Sequence, residues 1–361
     1  MSERYQFVDM AKTGPDAVRT AFSNQVAYCR AADAPVTARI VAAAASLLDK
    51  PATDFARQIA EWPGAPLADA LPLRVAGGLH ALHLTGSAPE LAPIYANADD
   101  INDAAIVAGV VSRHETALLP WLGGPPQTNE AGRSANFIAA MLWLADQGLP
   151  PRFQCLEIGS SAGINLMLGR YHYDLAGVEV GPEPGVMTFA PEWRGARPPH
   201  HPIAIASTRG CDIAPVDLAN PQEALRLKAY IWPEHHVRFG RIEAAIAAAR
   251  ADPPDLVRMN ADDFVETELA KPQAEGTTRV LMHSIVWQYV PDDEQARVTR
   301  AMESAGASAT CERPLAWISL EANRTLHRHE MSVRYWPGGG EPVLLGSAHP
   351  HGAWVEWTAP S

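Results

Sequence analysis

Apolar and polar positions follow two different rhythms along this chain. Up to about Gly148 the apolar residues recur at helical spacing. In "PDAVRTAFSNQVAYCRAA" they fall at Val18, Phe22, Val26 and Cys29, one face of a 3.6-residue period. "PVTARIVAAAASLLDK" and "INDAAIVAGVVSRHETALLPWL" read as further amphipathic or buried helices. "RSANFIAAMLWLADQG" reads the same way, with Ser134 as its cap and Gly148 as its stop. No strand is evident in this half, so residues 1–150 are expected to form an α-helical domain or cap.

From about Pro151 the rhythm shortens. "FQCLEIG", "IAIASTRGCDI", "DLVRMN", "TRVLMHSIV" and "LAWISLEA" are short apolar runs. Helical segments such as "PQEALRLKAYIW", "RFGRIEAAIAAARA" and "PDDEQARVTRAMESAG" lie between them. Strands alternating with helices imply an α/β fold, a parallel sheet with helices on both faces. The end of the chain, "MSVRYWPGGGEPVLLGSAHPHGAWVEW", has strand, Gly-rich turn and strand, and predicts an antiparallel hairpin at the sheet edge. Residues 151–361 are therefore expected to form the second domain. Its Pro-rich stretch at about 177–203 is expected to be an inserted excursion, a lid over the substrate.

Composition narrows the function. With 361 residues and 47% hydrophobic content, the chain is long enough for two domains. Its 31 prolines cluster between the apolar runs, which suggests rigid connections. A formal net charge of -12 weighs against a nucleic-acid partner, because phosphate contacts supply most of that affinity. No apolar run reaches the roughly 18 residues of a membrane span, and Met1–Tyr5 lack the features of a secretory signal. Cys29, Cys155, Cys211 and Cys311 are widely spaced and read as buried thiols in a reducing compartment. A cytoplasmic protein with no membrane partner and no metal centre is expected.

The stretch Leu156–Leu166, "LEIGSSAGINL", admits two readings. Gly159 to Gly163 fit G-x-S-x-G, the elbow that presents a nucleophilic serine. Ser161 would then need His349 or His351 as base and Asp262 or Asp263 as orienting acid. Only helices precede this strand, however, so no upstream sheet loop is at hand to donate to an oxyanion. The second reading is a ligand-cradling loop. Gly159 permits a tight turn after the first strand, and Gly163 lets a following helix come close. The N–H groups of that helix's first turn would face the ligand. Glu157 suits a ligand bearing an ammonium group. The spacing is not G-x-G-x-x-G, so a dinucleotide is less favoured.

At these residues the chain resembles class I S-adenosylmethionine-dependent methyltransferases. "LEIGSSAGINL" is similar to their first motif, an acidic residue followed by G-x-x-x-G-x-x-L. The resemblance implies a Rossmann-like sheet with a terminal antiparallel hairpin and S-adenosylmethionine as cofactor. It makes Glu157, Gly159, Ser160, Ser161, Gly163 and Asn165 candidate cofactor contacts. "GCDIAPVDL" is similar to the family's ribose-binding acid, a role that passes to Asp212. "VRMNADDF" resembles the turn that meets adenine, where Asn260 or Asp262 would act. "LMHSIVWQYVPDDEQARV" is similar to the fourth strand and its loop, which line the transfer pocket. His283, Trp287 and Tyr289 are the catalytic candidates there, with Ser284 and Gln288 beside them. Roughly forty residues separate the helix after the first loop from "GCDIAP", where roughly twenty would be usual, hence the inserted excursion. The whole chain also resembles an uncharacterised bacterial family, domain of unknown function 2332, through "PPQTNEAGRSA", "EIGSSAGINL", "HSIVWQY" and "AHPHGAWVEW".

Several side chains keep a plainer alternative. In "QTNEAGR", Thr128 or Asn129 could cap a helix with Glu130 nearby. Alternatively, Arg133 or Glu130 could hold the amino-acid end of the cofactor. His283 is either a core histidine or a general base. The pairs His327 and His329, and His349 and His351, lack the further ligands of a metal site. His80 and His83 read as helix histidines. Trp287, Tyr289, Trp317, Trp336, Trp354 and Trp357 read mostly as core, with one or two of them open to forming an aromatic wall for a planar or cationic group. Three functions follow in order: methyl transfer to a small molecule or protein side chain, serine hydrolysis at Ser161, and cofactor binding without catalysis.

Overall fold

The structure, a computed structural model, describes residues 11–124, 126–127 and 129–360. Thr128 and Met1–Tyr5, on which a cap and the lack of a signal were read, lie outside the described residues. Seven helices come first: α1 (Pro15–Ala31), α2 (Pro35–Ala45), α3 (Asp54–Ala60), α4 (Leu71–Leu84), α5 (Ala92–Tyr95), α6 (Asp103–Leu122) and α7 (Ser134–Asp146). The strands β1 (Arg152–Ile158), β2 (His172–Leu175), β3 (Val178–Val180), β4 (Thr188–Phe189), β5 (Glu192–Gly195) and β6 (Ala204–Asp212) follow. Next are α8 (Pro221–Ala229), α9 (His236–Ala251), β7 (Leu256–Arg258), α10 (Ala261–Leu269), β8 (Thr278–Ser284) and α11 (Asp292–Ala307). Four strands end the order: β9 (Leu315–Asn323), β10 (Arg328–Trp336), β11 (Val343–Ala348) and β12 (Trp354–Trp357).

The chain divides into two compact units, residues 1–128 with 221–240, and residues 129–220 with 241–361. This differs from a single boundary at 150. Every residue of α7 from Ser134 to Ala145 is buried, so this helix belongs to the core of the sheet unit. Conversely, α8 buries Ala224, Leu227 and Ala229, and Tyr230 just after it meets Trp121 edge-on at 5.5 Å in the helical unit.

The helical unit starts its helices where local chemistry predicts. Proline occupies the first turns of α1 and α2, where no N–H is missed. Thr53 and Asn102 cap α3 and α6 by accepting from Ala56 and Ala105 N–H. Phe22, Ile40, Val41, Phe55, Leu79 and Val110 form its core. His80 joins them, its Nδ1 3.0 Å from the Ala229 carbonyl. Burial pushes its pKa down to about 4, which makes it a neutral core histidine.

The second unit is built on a nine-stranded sheet in the order β5-β12-β11-β10-β9-β8-β1-β6-β7. The run β7-β6-β1-β8-β9 is parallel throughout. The chain begins at β1, winds out through β6 and β7, then returns to β8 and β9 on the other side. That is the doubly wound order, and its winding reverses between β1 and β8. The expected terminal hairpin is present as an antiparallel meander from β9 to β12.

The excursion around 177–203 has strands of its own: β2, β3 and β4 make a small sheet, and β5 joins the edge of the large one beside β12. The buried rings of Tyr171, Tyr173 and Phe189 hold this segment, with centroids 5.4 and 5.6 Å from the phenylalanine. Two local expectations differ from the structure. No α-helix follows the glycine loop. Asn165–Arg170 is a 3-10 helix, buried from Asn165 to Leu168, which leaves it no polar face to extend along solvent. Ser134 is not a cap either; its hydroxyl donates to the Ala131 carbonyl, and Glu130 caps the turn before it.

Strand alternation assigns the two faces of the sheet. Leu156, Leu281, Trp317 and Trp336 pack with Phe264 and Val265 of α10 and with Val298 and Met302 of α11. Tyr335, one residue before Trp336, points to the other face and meets Trp143 of α7 edge-on at 5.7 Å. On the α11 side, a Cβ on Gly306 would lie 2.5 Å from the buried ring of Trp336. Gly→Ala inside a helix ordinarily stabilises by about 1 kcal/mol. Here overpacking against a fixed ring, at about 1–3 kcal/mol, outweighs that gain. Gly306→Ala is expected to lower the midpoint of urea unfolding, and a raised midpoint would show that the indole yields.

Candidate active site

Glu157 is the last residue but one of β1, paired with Gly210 of β6 and Met282 of β8. It is only 2% exposed. Its Oε1 accepts from Asn165 Nδ2 at 2.9 Å, while its Oε2 has no hydrogen-bond partner. Because the Asn165 amide nitrogen faces Glu157, its Oδ1 is turned elsewhere, and that oxygen is also buried and unpartnered. A third such acceptor is Asn136 Oδ1 in the first turn of α7. Burial raises the Glu157 pKa to about 7, against the opposing pull of Asn165, Ser160 and the positive charge of Arg133.

The loop after β1 is held by the strand next to it. Gly159, Ser161 and Gly163 all have positive φ, at 65°, 52° and 71°. A Cβ on Gly159 would lie 2.2 Å from the Val286 side chain, so the loops after β1 and β8 meet where only hydrogen fits. Asp212, at the end of β6, accepts from Ser161 N–H at 2.9 Å with Oδ2 and from Ala214 N–H at 2.8 Å with Oδ1. Asn129 accepts from Ile164 N–H at 2.9 Å. Ser160 donates its hydroxyl to the Glu157 carbonyl. Arg133 donates to the carbonyls of Pro350 and Ser284. Eight expected residues, the six from Glu157 to Asn165 with Asp212 and Arg133, thus come together at the carboxyl ends of β1, β6 and β8.

His283 ends up elsewhere. It follows Met282, the neighbour of Glu157, so alternation turns it to the opposite face, the side of α10 and α11. Its ring stacks on Trp287 at 5.1 Å and 22°, and Trp317 lies 6.0 Å away. His283 Nδ1 is 2.7 Å from Glu321 Oε1, and Nε2 is buried without a partner. Glu321 was not among the expected residues. The available signal was the one that marked Glu157, an acid near the carboxyl end of an apolar strand.

Three expected residues are not part of either cluster. Tyr289 is 74% exposed. Asn260 is the residue before α10, and its amide donates to Glu294 at 3.3 Å. Asp262 is ion-paired with Arg297 of α11, so helix packing claims the side chain expected near adenine. The same pairing removes it as the acid of a hydrolase triad. Ser161 Oγ is buried with no hydrogen-bond partner, and His349 Nδ1 accepts from the His351 backbone. No base therefore reaches Ser161, and the nucleophile-elbow arrangement is not formed. Among the described residues no cluster of three or more metal-ligating side chains occurs, and no helix is long and apolar enough to cross a membrane. Cys29, Cys155 and Cys211 are buried thiols, whereas Cys311 is exposed, contrary to expectation.

Two outcomes test the geometry. Glu157 binds its proton more tightly folded than unfolded, so the folded chain holds more protons between pH 4.5 and about 7. Its contribution to stability is full below pH 4.5 and is lost as pH rises through about 7, on the order of 3 kcal/mol in total. Glu157→Gln is expected to flatten that part of the pH–stability curve in urea titrations, and an unchanged slope would contradict the burial. Asp212→Ala is expected to speed hydrogen exchange at the Ser161 and Ala214 amides at least about tenfold, given roughly 1.5–3 kcal/mol for a bond to a charged group. Unchanged exchange at both amides would mean that Asp212 does not brace the loop.

A search of curated proteins finds no match to this chain. A solved structure titled "DhpI-SAM-HEP complex" aligns over 60% of this chain and 64% of its own length, at 10% sequence identity and a TM-score of 0.22. The family described as "Uncharacterized protein conserved in bacteria (DUF2332)" matches residues 19–357. Nearly all of the chain, both units included, is covered by that match, and the protein belongs to this bacterial family.

Proposed function

We propose that the second unit binds S-adenosylmethionine at the carboxyl ends of β1 and β6 and passes its methyl group to a small molecule or a protein side chain. One observation carries this reading. Glu157 Oε2 and Asn165 Oδ1 are buried acceptors with no donor, on two side chains already bonded to each other. Leaving such atoms unmet costs about 1–3 kcal/mol each, more for a charge. An ammonium group, with three donors and a positive charge, suits acceptors of this kind, the Glu157 carboxyl above all. They lie where a doubly wound sheet reverses its winding, the usual place for a ligand.

Other residues fit the same ligand. Each Asp212 oxygen accepts one backbone N–H and keeps a lone pair for a ribose hydroxyl. Arg133 brings positive charge close enough to influence Glu157. The glycines shape the loop by packing: Val286 and Pro254 fill the space where side chains at Gly159 and Gly163 would stand. The fit covers the amino-acid and ribose ends; Asn260 and Asp262 are engaged with α11 instead of an adenine. When bound, the sulfonium supplies a methyl group already activated for displacement. The protein then has to align the acceptor and exclude water.

Calorimetric titration with S-adenosylmethionine and S-adenosylhomocysteine tests the proposal. Binding of either ligand is expected to tighten as pH rises through about 7, as Glu157 gives up its proton to meet the ammonium. Glu157→Gln is expected to weaken binding at least about tenfold at pH 8 and to remove this pH dependence. No heat from either ligand with folded protein would overturn the reading. Binding without methyl transfer to any acceptor would favour a non-catalytic ligand-binding protein.

A further inference from the structure

The side of the sheet away from Glu157 carries an open groove of about 440 Å³ at the carboxyl end of β9 and the start of β10. Its lining is almost wholly hydrogen-bonding: Ser319, Glu321, Asn323, Arg324, Glu330 and Ser332. The antiparallel register explains why these side chains meet. Glu330 stands directly opposite Glu321, and Ser332 directly opposite Ser319. Like charges directly opposite one another on an antiparallel pair repel, so each carboxylate needs an answering donor.

The protein answers one of the two acids in full. Glu330 Oε1 accepts from Arg328 Nε at 2.9 Å and Nη2 at 2.7 Å, and its Oε2 accepts from Asn323 Nδ2 at 2.9 Å. Glu321 is answered on one oxygen alone. Oε1 is met by His283 Nδ1 at 2.7 Å, Val286 N–H at 3.1 Å and Trp287 N–H at 3.3 Å. These three donors fix the carboxyl group in place. Among the described residues no donor meets Oε2, and the side chain keeps 21% of its surface exposed. Oε2 is therefore the oxygen that Glu321 has left to offer to the groove.

The same accounting finds unused donors beside it. Arg324 gives Nη2 to Gln288 Oε1 at 2.9 Å, while its Nε and Nη1 have no acceptor among the described residues. The Ser319 and Ser332 hydroxyls share one hydrogen bond at 2.8 Å, which uses only one of their two protons. Glu321 and Arg324 are three residues apart, so their Cα atoms lie within about 11 Å of each other. Two side chains of this length can close on one small molecule.

We propose that this groove binds a small zwitterion of the free α-amino-acid type, with its ammonium group on Glu321 Oε2 and its carboxylate on Arg324. An anion alone would face two carboxylates. A simple amine would leave the guanidinium unused, and a polyol would answer neither charge. A zwitterion answers both with charge-assisted hydrogen bonds. The site stands apart from the methyl-transfer reading, because it lies on the face opposite Glu157 and its binding is read directly.

Saturation-transfer NMR of the full chain with each standard L-amino acid, followed by calorimetry on those that bind, tests the proposal. At least one is expected to bind with a Kd of about 1 mM or tighter. Its methyl ester, which loses the carboxylate, and its N-acetyl derivative, which loses the ammonium, are each expected to bind at least about tenfold more weakly. Arg324→Gln is expected to weaken the amino acid at least about tenfold and to erase its advantage over the ester. Arg324 is exposed, so this variant does not put folding at risk. Glu321→Gln is expected to erase the advantage over the N-acetyl derivative. No binding by any amino acid, or equal binding of the ester and N-acetyl derivatives, overturns the proposal. Binding that Glu157→Gln abolishes and Arg324→Gln leaves untouched also overturns it, because the ligand then occupies the first site. Failure of S-adenosylmethionine to bind would sink the methyl-transfer reading and leave these outcomes as they are.

Discussion

The pairing of β1 with parallel neighbours on both edges is the constraint from which the rest of the second unit follows. A strand bonded on both sides and covered on both faces has nowhere to place polar atoms except at its ends. The chain must leave β1 at its carboxyl end, cross to β6, and later return to β8 on the opposite edge. The loops after these three strands therefore meet above the point of reversal. Val286 against Gly159, and Asp212 against Ser161, are the contacts by which they do so. The small glycine, the positive φ angles and the braced backbone are consequences of three strand ends sharing one place.

The same geometry separates two acids that resemble each other in sequence. Glu157 and Glu321 each lie near the carboxyl end of an apolar strand. Glu157 faces the side covered by α7, where its partner is an amide and one oxygen is left over. Glu321 faces the side of α10 and α11, where three donors converge on one oxygen. One environment raises the proton affinity of a carboxyl group; the other holds a carboxylate as a fixed acceptor beside an imidazole. The proposed ligand site and the His283–Glu321 pair lie on opposite faces of the sheet.

Much of the fold was legible because periodicity records burial. The five parallel strands, the helices between them and the antiparallel end were all read from apolar spacing. The domain boundary was less legible, because α7 and α8 look like ordinary helices until the surface each covers is known. The segment around 177–203 was legible only as an excursion. Its prolines interrupt any strand pattern, and the small sheet is closed by Tyr171, Tyr173 and Phe189, which are too large and apolar to remain exposed.

For the site, the sequence by itself determined which residue types stand at the strand ends: an acid before a glycine loop at Glu157, an acid at Asp212, and a histidine at the end of β8. These are local facts, carried by motif and spacing. Only the tertiary structure decided what each could meet. It turned Asp262 to Arg297, Asn260 to Glu294 and Tyr289 to solvent, and it left Ser161 with no base. It also brought Glu321 to His283 from 38 residues away, a pairing no linear pattern encodes. The physical reason is that a side chain's partners depend on strand register and face, and both are settled by how strands pair and which helices cover them.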